Sequence, residues 1–132
     1  GDKNDPQSAQ MIATAKTINP ENISSLAIYI SEMPLQKSEK SVEGDLKNGE
    51  SVYNMICGAC HGPGASGNKA LNAPALRGLN DWYLYDQFNK FRNGQRGAHP
   101  EDIFGAQMAA ISGTLPSEDA LNDVIAYITS PQ

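Results

Sequence analysis

The stretch CGACH, residues 57–61, holds three of the four cysteine and histidine residues of the chain. Cys57 and Cys60 are three residues apart, and His61 follows directly. Residues at this spacing lie on one face of a helix. The pattern therefore predicts two thiols and an imidazole within a single helical turn, and the question is which chemistry uses them.

Three kinds of site use a Cys-x-x-Cys pair. A structural zinc site needs four ligands, commonly with a second cysteine pair, and only His99 could be added here. A thiol–disulfide oxidoreductase site normally follows a strand in a βαβ unit, whereas this motif ends a predicted helix. The pattern Cys-x-x-Cys-His indicates covalent haem. Two thiols can bond the two vinyl groups of the ring, and the adjacent histidine can bind the iron. We therefore favour one covalently bound haem c.

The iron would need a second axial ligand. The candidates are His99 and the four methionines, Met11, Met33, Met55 and Met108. Met55 lies too close before the motif to cross the ring. We favour Met108, because it precedes the last predicted helix and can approach the ring from the opposite face. His99 is the alternative ligand, and Met108 could also simply fill a gap in the core.

Length, composition and charge limit the possible functions. A chain of 132 residues fits one domain with a short appendage. Only 39% of the residues are hydrophobic, so the core is small and a bulky bound group would help to fill it. The net charge of −5 argues against nucleic acid and favours redox protein partners with a basic docking face. No apolar run is long enough to span a membrane.

Two segments of the chain, residues 11–33 and 108–130, resemble each other. The matching residues are Met11 with Met108, Thr17 with Thr114, Glu21 with Glu118, and Tyr29-Ile30 with Tyr127-Ile128. Each copy is predicted to be a loop followed by an amphipathic helix, although two amphipathic helices can also resemble each other by periodicity alone. We interpret residues 1–35 as a helical appendage from a truncated repeat, residues 36–44 as a linker, and residues 45–132 as the main domain.

The remaining patterns are helical. A helix is predicted from Leu46 to the motif, and another over residues 81–93 with Gly94 as its stop. Residues 62–78 are rich in Gly, Asn, Ala and Pro, which predicts a loop. Because no alternating strand pattern is found, the predicted fold class is all-α with long loops.

Residues 44–132 resemble class I cytochrome c. GDLKNGESVYNMICGACHG, residues 44–62, resembles the first helix and haem-binding motif of that family. NAPAL, residues 72–76, resembles its proline loop, and MAAISGTLPSEDALNDVIAYI, residues 108–128, its methionine-ligand loop and terminal helix. The resemblance implies the class I cytochrome c fold with an extra N-terminal helix.

Within that family, residues 81–108 are similar to the second half of the dihaem cytochrome c4 group. Residues 11–33 then resemble the tail of a lost first domain of that group. The chain departs from the group because it has one haem motif and not two.

The resemblance also implies roles for single residues. Gly49 and Tyr53 would meet the last helix near Tyr127, and the carbonyl of Pro74 would accept the Nδ1 proton of His61. The haem propionates need hydrogen-bond donors. The candidates are Arg77, Trp82, Arg92 and Arg96. Each arginine could equally be an ordinary surface residue, whereas Trp82 is favoured near the haem, with an ordinary core position as the alternative.

A haem iron held by two side chains has no position for a substrate, so we expect single-electron transfer between redox partners and no enzymatic activity. One alternative is an electron-accepting subunit of a larger dehydrogenase. Another is a five-coordinate haem enzyme or sensor for peroxide or small gases. The apolar helix face in residues 11–33 would need a partner, which allows a homodimer or a larger complex.

Covalent haem attachment of this kind resembles that of proteins matured outside the cytoplasm. We therefore expect the bacterial periplasm, with a signal peptide removed from the mature chain.

Overall fold

The computed structural model describes residues 6–34 and 38–131. Its helices are α1 (Pro6–Ala15), α2 (Ile23–Glu32), α3 (Leu46–Val52), α4 (Gly58–His61), α5 (Asp81–Arg92), α6 (Ile103–Ser112) and α7 (Glu118–Thr129). These two ranges contain no β-strand, only an isolated bridge between Asn68 and Ala73. The predicted all-α class is confirmed. No helix within the described ranges is long and apolar enough to cross a membrane.

The chain divides into two compact units between Ser38 and Glu39. The first unit contains α1, a 3₁₀ turn over Pro20–Asn22, and α2. The side chain of Asn19 begins the turn by accepting a hydrogen bond from the backbone N–H of Glu21. In α2 the large apolar side chains are exposed; they are Ile23, Leu26, Ile28, Tyr29 and Ile30.

One prediction for the first unit is wrong. Met11 lies inside α1 and not in a loop. The reason is local, because the segment PQSAQMIATA combines proline at the first helical position with alanine, glutamine and methionine, which favour helix.

In the second unit α3 and α4 are joined by a π-helical turn, Tyr53–Cys57, so that one continuous helix leads into the motif. The carboxylate of Asp45 caps its start by accepting the N–H groups of Lys47 and Asn48 at 2.8 and 3.1 Å. The helix predicted from Leu46 is confirmed.

The core of the second unit forms where α3 crosses α7. The Tyr53 and Tyr127 rings pack with their centroids 5.5 Å apart. A Cβ atom on Gly49 would lie 2.0 Å from the carbonyl oxygen of Asp123, so only glycine permits this approach. The expected meeting of Gly49 and Tyr53 with the last helix is confirmed. The buried cluster comprises Tyr53, Ala65, Leu84, Leu121, Val124, Ile125 and Ile128.

The second half of the segment interpreted as a linker is attached to the second unit. The Asp81 carboxylate accepts hydrogen bonds from the backbone N–H groups of Ser41 and Val42 at 2.5 and 2.8 Å. Gly44 lies directly against the backbone of α7, since a Cβ on it would be 2.7 Å from the Cα of Asp123. These contacts fix the chain just before α3.

Helix α5 covers nearly the predicted range and ends before Gly94, which has a left-handed φ of 68°. Helix α6, by contrast, was not predicted, and Met108 lies inside it and not in a ligand loop. The Asp102 carboxylate caps α6 by accepting the N–H of Gly105 at 2.8 Å. Because IFGAQMAAIS is apolar on nearly every side, it lacks the 3.6-residue periodicity that marks an amphipathic helix.

Candidate functional site

The π-helical turn determines how the motif leaves α3. The N–H of Gly58 bonds to the carbonyl of Tyr53, five residues earlier. Such a turn inserts one extra residue into a helix and is frequent at functional sites. It precedes the single turn of α4 that carries Cys60 and His61, with Cys57 immediately before it.

His61 is buried, with 8% of its surface exposed. Its Nδ1 atom lies 2.9 Å from the carbonyl oxygen of Pro74. A carbonyl oxygen can only accept, so Nδ1 donates its proton there and Nε2 keeps the free electron pair that binds metals. The contact expected from the proline loop is present.

The turn after His61 is held from several sides. Gly62 has a left-handed φ of 75°, which favours glycine. The Tyr53 hydroxyl donates to the carbonyl of Gly62 at 2.6 Å, and the N–H of Gly67 donates to the carbonyl of His61 at 2.7 Å. The sequence predicts the packing of Tyr53 but not the bond from its hydroxyl, because that bond reaches a loop whose path the sequence does not reveal.

The two cysteine side chains differ in their surroundings. Cys57 is half-buried and Cys60 is exposed. Burial, and then the nearby Cys60 thiol, raise the pKa of the Cys57 thiol to about 11. An oxidoreductase requires a lowered thiol pKa, so the environment of Cys57 is the opposite of what that alternative needs. In the described ranges no group of three or more His, Cys, Asp or Glu side chains is arranged to hold a metal ion.

The two candidates for the second axial ligand occupy different positions. Met108 is half-buried on α6, which packs against α5. His99 is exposed in the loop before α6, and its Nδ1 accepts the backbone N–H of Glu101 at 3.2 Å.

Two of the candidate propionate donors interact with other side chains. Arg92 pairs with Glu118 at 2.7 Å and lies 5.0 Å from the centroid of the Phe88 ring. The Tyr85 hydroxyl also donates to Glu118. This hydroxyl, and then Arg92, lower the pKa of the Glu118 carboxyl. The pair therefore ties α5 to the start of α7.

The other candidate donors lie elsewhere in the second unit. Arg96 donates to the side chain of Gln87 at 2.7 Å. The backbone N–H of Arg77 donates to the carbonyl of Ala65 at 3.1 Å. Trp82 stands on α5 with 51% of its surface exposed, next to the Tyr83 ring.

The residues present fit a haem. The motif provides two thiols and an imidazole with a free Nε2. Large apolar side chains are also exposed on the segments that flank Pro74 and Met108; they are Leu71, Leu79, Ile103, Phe104 and Ile111. A porphyrin is a large apolar plate, and a site for one needs apolar surface of this kind beside a few polar groups.

Comparison with known proteins agrees with this site. The family described as "Cytochrome C oxidase, cbb3-type, subunit III" matches residues 44–128, well over half of the chain. A protein of Thiomonas intermedia (strain K12), named "Thiosulfate dehydrogenase electron acceptor", is 50% identical over 40 residues. That match covers 30% of this chain and 18% of the length of the relative.

The matched range includes the CGACH motif. The family implies covalent haem c, and this chain has Cys57 and Cys60 at the required spacing with His61 directly after them. The family and the relative together identify an electron-transfer cytochrome. The chain belongs to the cytochrome c family, in the group described as cytochrome c oxidase, cbb3-type, subunit III.

Proposed function

We propose that the protein carries single electrons through one haem, bound by Cys57 and Cys60 and ligated by His61 and Met108. The observation that carries this proposal is the hydrogen bond from His61 Nδ1 to Pro74. It leaves Nε2 as the ring nitrogen able to bind iron, on the residue directly after the cysteine pair.

The two axial residues determine what the site can do. Bound haem supplies an iron atom that gains or loses one electron. A methionine opposite a histidine raises the reduction potential relative to two histidines. If His61 and Met108 both bind the iron, no position would remain for a substrate. The residues therefore hold the group for electron exchange and not for catalysis.

Replacement of Met108 by alanine tests this arrangement. We expect the oxidised protein to lose the methionine–iron charge-transfer absorbance band and its midpoint potential to fall, because the thioether ligand is gone. Intact mass should still equal the polypeptide plus one haem. Met55→Ala is the matched control, since Met55 is a methionine near the motif that is 77% exposed. A band that survives in Met108→Ala but not in Met55→Ala would overturn the assignment.

The five-coordinate alternative is tested by the same spectra. A haem enzyme or gas sensor requires an open iron position. Wild-type protein that lacked the methionine band and bound carbon monoxide rapidly would favour that alternative. If His99→Ala abolished the native spectrum, His99 would be the second ligand in place of Met108 and the iron would have no open position.

We also propose that the physiological electron donor is a dehydrogenase. The support is the match to the thiosulfate dehydrogenase electron acceptor. Stopped-flow mixing of the oxidised protein with a thiosulfate dehydrogenase and thiosulfate should reduce the haem much faster than thiosulfate alone. Equal rates with and without the enzyme would exclude this donor.

We propose a basic docking face on the redox partner and a periplasmic location. The net charge of −5 supports the first, because opposite charges accelerate encounter. The rate of electron transfer should therefore fall as salt is added.

The periplasmic location rests on the covalent haem, and fractionation of the native organism's cells tests it.

We further propose that residues 11–33 are the remnant of a duplicated domain. In each copy the matching threonine, Thr17 or Thr114, donates from its hydroxyl to a carbonyl three residues earlier at 2.7 Å. Each also lies between two helices of its own unit. A longer relative of the cytochrome c4 kind, with a second haem motif upstream of the residue that matches Met11, would support the duplication; relatives with an unrelated sequence there would contradict it.

We propose that hydrogen bonds to the haem propionates come from four candidate side chains, Arg77, Trp82, Arg92 and Arg96. The guanidinium of Arg92 already donates to Glu118, and that of Arg96 to Gln87. Each would have to use its remaining N–H groups for a propionate. Single substitutions to glutamine, or to phenylalanine for Trp82, should shift the pH dependence of the midpoint potential wherever the donor contacts a propionate.

A further inference from the structure

Tyr53 has a polar group that packing alone does not explain. Its side chain is completely buried, and its ring already packs against Tyr127. A phenylalanine would fill the same space. Burying a hydroxyl costs free energy unless it finds a partner, and the Tyr53 hydroxyl donates to the carbonyl of Gly62 at 2.6 Å.

Tyr53 is bonded on both sides of the turn that carries the motif. Its backbone carbonyl accepts the N–H of Gly58, just after Cys57. Its hydroxyl reaches Gly62, directly after His61. One residue therefore holds the chain where the motif begins and where it ends.

The Gly62 contact affects His61 through the peptide that joins them. Gly62 is buried, and its φ of 75° turns the chain sharply after the histidine. The N–H of Gly67 bonds to the His61 carbonyl across this turn at 2.7 Å. Without the hydroxyl, the buried Gly62 carbonyl would keep only the longer hydrogen bond from the N–H of Ala65, at 3.3 Å, and the turn could relax to strengthen its bonding.

We propose that the Tyr53 hydroxyl is a positioning group for the haem ligand His61. It fixes the backbone after the histidine, while Pro74 fixes the imidazole ring. This inference deepens the proposed function and rests on His61 binding the iron. Tyr53 does not touch the iron; it acts through Gly62.

The test compares two tyrosine-to-phenylalanine variants of the holoprotein. Tyr53→Phe removes the hydroxyl that bonds Gly62. Tyr127→Phe removes the hydroxyl of the other ring of the same pair. We expect amide exchange at Gly67 to accelerate about tenfold in Tyr53→Phe only, because its bond to His61 opens more often. The midpoint potential should shift in the same variant only.

A rescue separates positioning from general loss of stability. Tyr53→4-aminophenylalanine keeps an N–H donor at the same place on the ring and should restore Gly67 exchange and the midpoint potential. The proposal is overturned if Tyr53→Phe leaves both quantities unchanged, if Tyr127→Phe changes them equally, or if the amino variant fails to restore them. Exchange at Gly67 reports on the turn whether or not iron is bound to His61. A failure of the proposed ligation would instead appear in the wild-type spectrum.

Discussion

Asp81 shows how one buried carboxylate organises a loop at a distance. It is 4% exposed and accepts the backbone N–H groups of Ser41, Val42 and Trp82. Burial alone would raise the pKa of Asp81, but these hydrogen bonds and one from the Ser41 hydroxyl outweigh it and lower that pKa. The charged form is therefore the one that the folded protein uses.

This pKa shift predicts a pH dependence of stability. Because the folded pKa is below the unfolded value of about 3.9, the unfolded chain binds the proton more tightly. The stabilisation by Asp81 is present above that value and is lost as the pH falls through the folded pKa. We expect Asp81→Asn to lower the free energy of unfolding by about 1–3 kcal/mol at neutral pH, and by much less in acid. Urea unfolding of the two proteins at both pH values measures this.

Acid also affects the haem ligands, but it does so in both proteins. The difference between their free energies of unfolding therefore reports on Asp81 alone. Glu50→Gln, a loss of an exposed carboxylate on α3, is the control and should change stability little at either pH. An Asp81→Asn loss that is equally large in acid would show that its charge does not matter.

Between elements, the strongest constraint is the crossing of α3 and α7. Asp123 on α7 accepts the backbone N–H of Asp45 and the side chain of Asn48, both at 2.7 Å. Gly49 then allows the two backbones to touch one turn further along. Since α3 continues into the motif, this crossing sets where Cys57 and His61 lie relative to the core.

Replacement of Gly49 by alanine tests the crossing. In most helices this change stabilises by about 1 kcal/mol. Here the new Cβ would lie 2.0 Å from the Asp123 carbonyl oxygen and 3.0 Å from the Cβ of Tyr127. We therefore expect a loss of about 1–3 kcal/mol as the helices are forced apart, measured by denaturant unfolding of the haem-loaded protein.

Gly113→Ala is the matched control for that substitution. Gly113 ends α6 with an ordinary φ of −73°, and a Cβ there would meet its nearest atom at 3.5 Å. It should be close to neutral or slightly stabilising. Equal losses at Gly49 and Gly113 would mean that the helix crossing is not tight.

The elements differ in how far their sequence predicts them. The α3, α5 and α7 helices have an apolar stripe or a clear cap and stop, so their positions could be predicted. Helix α6 is apolar on nearly all sides, so Met108 was expected in a loop. In the site, the spacing of Cys57 and Cys60 predicts the haem directly. The Tyr53 hydroxyl bond and the Asp81 contacts join residues across a loop or far apart in sequence, and no local pattern encodes them.

At the scale of the whole molecule, the two units have different surfaces. The second unit carries the haem motif and a continuous buried core. In the first unit, Ile23, Leu26 and Ile30 recur along one side of α2 and are exposed by 57%, 39% and 63%. Apolar side chains concentrated on one helix face commonly mark an interface. The sequence allows a homodimer or a larger complex through this segment, and we propose the homodimer, which would bury this face.

Light scattering across a range of protein concentrations tests that expectation. We expect the wild type to dimerise reversibly and Ile30→Glu to raise the dissociation constant at least roughly tenfold, because a buried carboxylate without a partner is costly. Ser25→Glu is the control: it adds the same charge at an exposed position five residues away, well round the helix from the apolar stripe. It should leave the dissociation constant nearly unchanged. A wild type that stays monomeric at every concentration would exclude the homodimer.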